Sequence, residues 1–305
     1  MRPVFHWSLR SRTLELGKRT LIVGVVNATP DSFSDGGLYF TPENAVTHAL
    51  RLLDEGADII DIGGESTRPG ANVSAPIPPS PIAKDAQNPS VTAEEEQRRI
   101  LPVITELKKQ RPDALISIDT YKASVARAAI AAGAEIVNDV SGLRWDPKMP
   151  KTVAELKCGV VLMHMRGRPE EWRTLPPPGD VVLLVKRELR EWVESAVLAG
   201  VRRERIVLDP GFGFGKSFEQ NYPLLARFQD LQSLGFPLLA GVSRKSFIGR
   251  MLAKDSEDAP VGARLHGTLA VQTALILKGA HILRTHDVKE SGEAARVTDV
   301  VLSPR

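Results

Sequence analysis

Cysteine is almost missing from this chain: Cys158 is the only one in 305 residues, so no intrachain disulfide can form. A reducing, cytoplasmic setting is the natural expectation. A reactive thiol needs a cationic partner, whereas Cys158 runs directly into the apolar stretch from Gly159 to Met163 and reads as a buried structural residue. Long hydrophobic runs are also missing. The first residues, Met1 to Leu16, mix arginines with Phe5, Trp7, Leu9, Leu14 and Leu16, so neither a signal peptide nor a membrane span is expected. No sign of charge dominates: 40 basic residues stand among 37 acids, dispersed rather than massed, which speaks against a nucleic-acid partner.

What is present suffices for a full core, with 42% hydrophobic and 25% charged residues. The pattern switches repeatedly between short β-branched runs and longer stretches of helical period, the reading of a parallel sheet built of βα units. Strands are expected at Leu21 to Val26, Asp58 to Asp61, Ala114 to Ile118, Glu135 to Val137, Val160 to Met163, Arg205 to Leu208, Pro237 to Ala240 and His281 to Leu283. Helices are expected between and after them, at Pro42 to Glu55, Ala93 to Gln110, Lys122 to Ala132, Lys151 to Lys157, Val181 to Ala199, Glu219 to Gln232, Gly262 to Lys278 and Val288 to Leu302. Roughly eight alternations fit a single-domain α/β fold, a (βα)8 TIM barrel spanning residues 1–305. Alternation around Ser11 to Thr13 predicts an N-terminal hairpin closing the barrel bottom. Gly56, Gly133, Gly200, Gly235 and Gly279 each stand just before a strand, as C-terminal helix caps do. The rival open sheet lacks its dinucleotide fingerprint, since Asn27-Ala28-Thr29-Pro30 follows the first strand. Residues 72–92 are rich in Pro, Ala and Ser and lack a period, so a flexible insertion in the second βα loop is expected.

In a barrel the carboxyl ends of the strands converge on one mouth. Here they deliver, in order, Asn27, Asp61, Asp119, Asn138 with Asp139, His164, Asp209, then Ser243 with Arg244 and Lys245, and finally Arg284 and His286. Single polar strand ends serve as helix caps, but a complete ring of them points to a site. Acids and amides occupy strands two to six and cations strands seven and eight, so the ligand should carry a donor-rich end and an anionic end. A carboxylate facing adjacent N–H groups makes two charge-assisted bonds, which suits a guanidine-like heterocycle at Asp119, Asn138 and Asp209. His164, His48, His266 and His281 read as structural or surface residues. Asp61 is expected to fix loop backbone, and Glu65 to orient Arg68. The run Gly211 to Gly215 lacks Walker spacing and reads as backbone that a ligand can approach closely.

The stretch Val25-Val26-Asn27-Ala28-Thr29-Pro30-Asp31-Ser32-Phe33-Ser34-Asp35-Gly36-Gly37 resembles the first signature of the dihydropteroate synthases, and Asp61-Ile62-Gly63-Gly64-Glu65-Ser66-Thr67-Arg68-Pro69-Gly70 resembles the second. Ser117-Ile118-Asp119-Thr120, Val137-Asn138-Asp139-Val140-Ser141, Leu162-Met163-His164-Met165, Leu208 through Lys216, Gly241 through Ser246 and Leu283 through Val288 extend the match in order to the C-terminal region.

The resemblance implies condensation of 7,8-dihydropterin pyrophosphate with p-aminobenzoate, giving dihydropteroate and pyrophosphate. It implies that Asp119, Asn138, Asp209, Lys245 and Arg284 hold the pterin, with Met163 and Phe214 packing beside it. Asn27, Thr67, Arg284 and His286 are then the diphosphate residues, Asn27 also binding Mg²⁺. Asp31, Phe33, Ser34 and Asp35 in the first loop, Thr67, Arg68 and Pro69 in the second, and Lys245 and Ser246 receive p-aminobenzoate and close the site. Sulfonamide inhibitors and a homodimer through late helices, where 269–277 is apolar, follow from the same resemblance. Two rivals stay open: a methyltetrahydrofolate-dependent methyltransferase working with a corrinoid protein, and a pterin-binding module without catalysis. Insertion 72–92 departs from the pattern.

Overall fold

The computed structural model describes residues 2–29, 41–65, 91–172, 174–254 and 257–303. The chain begins with β1 (Phe5–Ser8) and β2 (Thr13–Leu16), paired antiparallel with Phe5 opposite Leu16 and Trp7 opposite Leu14. Eight parallel strands follow: β3 (Leu21–Asn27), β4 (Ile59–Gly63), β5 (Ile116–Asp119), β6 (Ile136–Asp139), β7 (Gly159–Met163), β8 (Ile206–Asp209), β9 (Leu239–Ala240) and β10 (Ile282–Thr285). Their order is β8-β7-β6-β5-β4-β3-β10-β9, and a parallel bridge between Leu208 and Leu238 brings the two ends together. The result is a nearly closed βα barrel, as the alternation predicts.

The helices are α1 (Pro42–Asp54), α2 (Ala93–Gln110), α3 (Ala123–Ala131), α4 (Met149–Leu156), α5 (Val181–Leu198), α6 (Phe218–Ala226), α7 (Ser246–Met251), α8 (Leu265–Leu277) and α9 (Val288–Leu302). Local chemistry sets several starts. Thr41 accepts from the Asn44 N–H with Pro42 in the first turn of α1, and Asp180 accepts from the Val182 and Leu183 N–H groups at α5. Thr92 caps α2 by accepting from Glu95 N–H, so the stretch expected as insertion ends in a helix cap. Residues 72–90 of that stretch lie outside the described residues. All five predicted capping glycines have positive φ, from 74° to 116°.

Differences from the expected boundaries have local causes. Most strands run one or two residues further, so Asn27, Asp119, Asp139 and Asp209 are paired last residues rather than the first loop residues. The helix expected at Glu219 to Gln232 divides at Arg227 into α6 and a 3-10 segment, Phe228–Leu234. The helix expected from Gly262 begins at Leu265, and α7 is an additional short helix directly after Lys245.

Two apolar layers hold the barrel. The larger lies between strands and helices. The smaller fills the barrel floor, where Trp7, Leu9 and Leu16 of the hairpin pack under Val23, Ile59, Ile136, Val161, Val207 and Ile282. Trp7 is 1% exposed and its indole N–H donates to the Arg205 carbonyl at 2.8 Å, so the hairpin is a plug both apolar and anchored. Cys158 is buried, and burial pushes its thiol up to about 12, which suits the structural reading. Among the described residues no helix is long and apolar enough to cross a membrane.

Candidate active site

Strand register brings the polar ends together at the mouth. Asp119 pairs with Gly63 on one side and Asn138 on the other, and Met163 lies beside Asp209. At the centre stands Arg284, the third residue of β10. Its Nε donates to Asp61 Oδ2 at 2.7 Å and its Nη2 to Asp119 Oδ2 at 2.9 Å. Asn138 Nδ2 donates to the same Asp61 oxygen at 3.0 Å. The expected separation of acids from cations therefore gives way to contact: Arg284 reaches past β3 to the acids at the ends of β4 and β5. Asp61 likewise departs from expectation, binding two side chains of the ring instead of loop backbone.

The neighbouring wall is made by the strand-end loops. Asp209 Oδ1 accepts from the Gly211 N–H at 2.7 Å, which turns the following backbone inward. Gly211 has φ +64°, and a Cβ there would run into the His164 carbonyl oxygen, so only glycine fits. Lys216, buried, donates to the carbonyls of Gly211 at 2.8 Å and Phe214 at 3.1 Å and holds this loop in shape. Lys245 donates to the Phe212 carbonyl and places its ammonium 4.3 Å from the centre of the Phe214 ring. Met163 belongs to a cluster with Tyr121, Val140, Trp145 and Met165, against which Phe214 and Trp172 pack. One side of the mouth is thus charged and the other apolar and aromatic, the surfaces a flat polar heterocycle needs.

Burial tunes the charges. It pushes the Asp119 carboxyl up to about 7, with Arg284 pulling down and Asp61 pushing up, and raises Asp209 as well. Burial lowers the Lys245 ammonium to about 7, against the attraction of Asp209. Burial works against the Arg284 charge too, but Asp61 and Asp119 outweigh it, and its guanidinium is raised. A buried acid and a buried base that both change charge near neutrality mark a functional mouth.

Other ring members have local duties. Asp139 accepts from the N–H and hydroxyl of Ser141, both at 2.7 Å, and shapes the turn after β6. Arg244 pairs with Asp287 in bidentate fashion through Nε and Nη2 from a left-handed backbone of φ +56°, so within the expected cationic sector its charge is taken up in joining the β9 and β10 loops. His286 meets the Ser243 hydroxyl at 3.0 Å. His164 is fully buried, stacked on Trp192 at 5.1 Å and bonded to Glu188 at 3.0 Å, as a structural histidine should be. His281 is buried too, accepting from the Leu238 N–H at 3.1 Å. Asn27 ends β3 with Nδ2 buried and without a partner among the described residues. Ser246 is the exposed first residue of α7. Glu65 accepts from the Tyr121 hydroxyl at 2.8 Å and from Lys122 at 2.6 Å. Its expected partner Arg68 lies outside the described residues, as do Asp31, Phe33, Ser34, Asp35, Thr67 and Pro69. Sequence reasoning missed the network of Lys122 with Glu65 and Glu96, and the buried Lys216; both lysines stand at the edge of recognisable motifs, the only signal they offer.

Comparison with known proteins agrees with this geometry. A family model described as "Pterin binding enzyme" matches residues 23–77 and 82–286. Dihydropteroate synthase of Escherichia coli strain K12 is 42% identical over 284 residues, covering 93% of this chain and 92% of its own length. The structure of Xanthomonas albilineans dihydropteroate synthase with 4-aminobenzoic acid superposes with a TM-score of 0.85 at 42% identity, covering 99% of this chain and 100% of that one. The Yersinia pestis dihydropteroate synthase in a sulfonamide drug complex gives 0.86 at 38% identity, with coverage of 99% and 100%.

Proposed function

The chain belongs to the pterin-binding enzyme family, and from that membership we propose that it is a dihydropteroate synthase, condensing 6-hydroxymethyl-7,8-dihydropterin diphosphate with p-aminobenzoate. The observation that carries this reading is the cluster of Asp119, Asn138, Asp209, Lys245 and Arg284 at one barrel mouth. The relatives' name and the 4-aminobenzoic acid of the Xanthomonas structure supply the chemistry it serves. A corrinoid-dependent methyltransferase would share pterin carboxylates but has no use for a diphosphate subsite, and the Escherichia coli, Xanthomonas and Yersinia relatives are all dihydropteroate synthases.

In this reading Asp119, Asn138 and Asp209 receive the donor edge of the pterin, Lys245 meets its acceptors, and Met163 and Phe214 pack against the ring. Arg284, His286, Asn27 and Thr67 hold the diphosphate. Ser246, at the start of α7 beside Lys245, receives the carboxylate of p-aminobenzoate together with the residues of the two loops. The aniline nitrogen bonds to the pterin methylene carbon as the carbon–oxygen bond to diphosphate breaks. The bonding electrons leave with pyrophosphate and the nitrogen sheds a proton to water. No covalent enzyme intermediate is needed, so positioning and charge stabilisation do the work.

Mg²⁺ fits the donors present. Asn27 offers one hard amide oxygen, and no group of three His, Cys, Asp or Glu residues that could hold a metal stands among the described residues. That matches an ion that takes one or two protein ligands and completes its shell with phosphate oxygens and water. Asn27 would hold the ion, whose charge would offset that of the diphosphate.

A homodimer in the cytoplasm completes the reading. In α8 polar Thr268 and Gln272 are buried while Leu277 is half exposed, and α9 turns Val297, Val300 and Val301 outward. An apolar face of that extent favours a second copy, and sedimentation of the purified chain at twice its monomer mass is the expected result. The decisive experiment is pyrophosphate release: it should require the pterin diphosphate, p-aminobenzoate and Mg²⁺ together, and release without p-aminobenzoate would overturn the reading. Sulfonamides should raise the KM for p-aminobenzoate and leave kcat unchanged.

A further inference from the structure

A carboxylate can only accept hydrogen bonds, and an amide has one accepting and one donating end. Asp61 is 1% exposed and its Oδ2 accepts from both Arg284 and Asn138. The amide of Asn138 therefore has no choice of orientation: its Nδ2 must face Asp61, and its Oδ1 must point the other way. A group at position 61 that could not accept in the place of Oδ2 would release that constraint. Asp61 also occupies the Nε edge of Arg284, leaving Asp119 to share the guanidinium with only one of its two oxygens, Oδ2.

We infer that Asp61 is a positioning residue for pterin recognition: it sets the amide of Asn138 with its oxygen toward the ligand and shares the Arg284 charge, so that Asp119 keeps accepting capacity for the ligand. The inference rests on the pterin reading of the mouth and adds to it a residue that touches recognition only through its neighbours. It also explains why an acid stands within β4 and lines the same small cavity as the apolar plug residue Trp7. A buried carboxylate is costly unless paired, and here both of its partners are ligand-facing side chains.

The test exchanges the polarity of the pair. Asn138→Asp alone sets two acceptors 3.0 Å apart and should weaken binding of the pterin diphosphate, measured by calorimetry, by roughly 100-fold; Asp61→Asn alone should weaken it by roughly 10-fold. In the double variant the amide at position 61 can donate to the carboxylate at position 138 from the place of Oδ2, the atom that also accepts from Arg284, so Arg284 loses its acceptor there and keeps Asp119, as the carboxylate at 138 still presents an oxygen to the ligand. Binding should return to within roughly 10-fold of wild type, with the KM for p-aminobenzoate within about threefold throughout. Thermal melts of all three variants confirm folding, and a residue that merely packs would give no recovery. Equal weakness of Asn138→Asp and the double variant, or unchanged pterin affinity in Asp61→Asn, overturns the inference while wild-type binding keeps the reading intact. Wild type that binds no pterin diphosphate overturns both.

Discussion

The two ends of the barrel are built on opposite terms. At the floor, Trp7, Leu9 and Leu16 meet a ring of inward-facing Val, Ile and Leu, and polar groups there are satisfied by backbone, as the Trp7 indole is by Arg205. At the mouth, the same strands carry Asp61, Asp119, Asn138, Asp209 and Arg284, and burial works against the charges of Asp119, Asp209 and Arg284. Only a few residues of strand separate the two. Apolar packing is thus concentrated where no ligand arrives, and buried charge where one does.

The largest effect that can break this comparison is at the floor. Trp7→Ala removes the bulk of the plug and should cost about 3–5 kcal/mol of unfolding free energy, read by denaturant titration. The folded enzyme, assayed well below its melting temperature, should keep kcat/KM within about threefold. A loss of activity in proportion to the lost stability would show that floor and mouth are not separate.

Lys245→Met is the converse experiment. Its ammonium is pulled down by burial, so replacing it relieves desolvation and the melting temperature should move little. The kcat/KM for the pterin diphosphate should fall by about 10²-fold, the loss of a charge-assisted hydrogen bond to the bound ring. A full-rate Lys245→Met enzyme would remove the mouth from the mechanism.

The floor and the mouth were not equally legible in the sequence. The floor hairpin could be read from alternation, and the helix caps from glycine, because both are local signals within a few residues. The ring of strand ends was legible for a related reason: parallel strands must deliver their last residues to one face. What could not be read was which ring members bind one another. Arg284 and Asp61 are joined at 2.7 Å past the intervening β3, and no spacing in the chain encodes a contact between residues so distant in sequence. Arg244 misled for the same reason, since its left-handed backbone, which turns it to Asp287, is set by the fold around it rather than by its neighbours in sequence.

Two buried histidines, one at each end, give a smaller effect. Burial lowers His164 to about 3 and His281 to about 4, below the roughly 6.5 of an unfolded chain. Each is neutral in the native state, so on acidification the unfolded chain takes up the proton first. Their contribution is complete above about pH 6.5 and is lost as pH falls toward the native values, at up to about 1.4 kcal/mol per pH unit each. Buried Asp119 and Asp139, both raised to about 7, act in the opposite sense over that range, so the net curve is shallow. The difference between wild type and His164→Phe isolates one group. Phenylalanine retains the stack on Trp192 and cannot titrate, so wild type should lose ground to it as pH falls below about 6.5, in urea titrations at successive pH values. A constant difference would mean that His164 is already charged in the folded protein.

The smallest effect compares glycines at the two ends. Gly56 follows α1 on the floor side with φ +102°, and a Cβ there would meet nothing within 4 Å. Gly56→Ala should therefore cost only the backbone preference, about 1–2 kcal/mol, with kcat/KM unchanged. Gly211 at the mouth also has positive φ, but its Cβ would collide with the His164 carbonyl. Gly211→Ala must shift the loop whose N–H groups and carbonyls bind Asp209 and Lys216, so it should raise the KM for the pterin diphosphate as well as lower the melting temperature. If both alanines changed stability alone, the mouth loop would be a scaffold feature like the floor caps; a KM effect confined to Gly211 would place the boundary between the two regions at the end of β8.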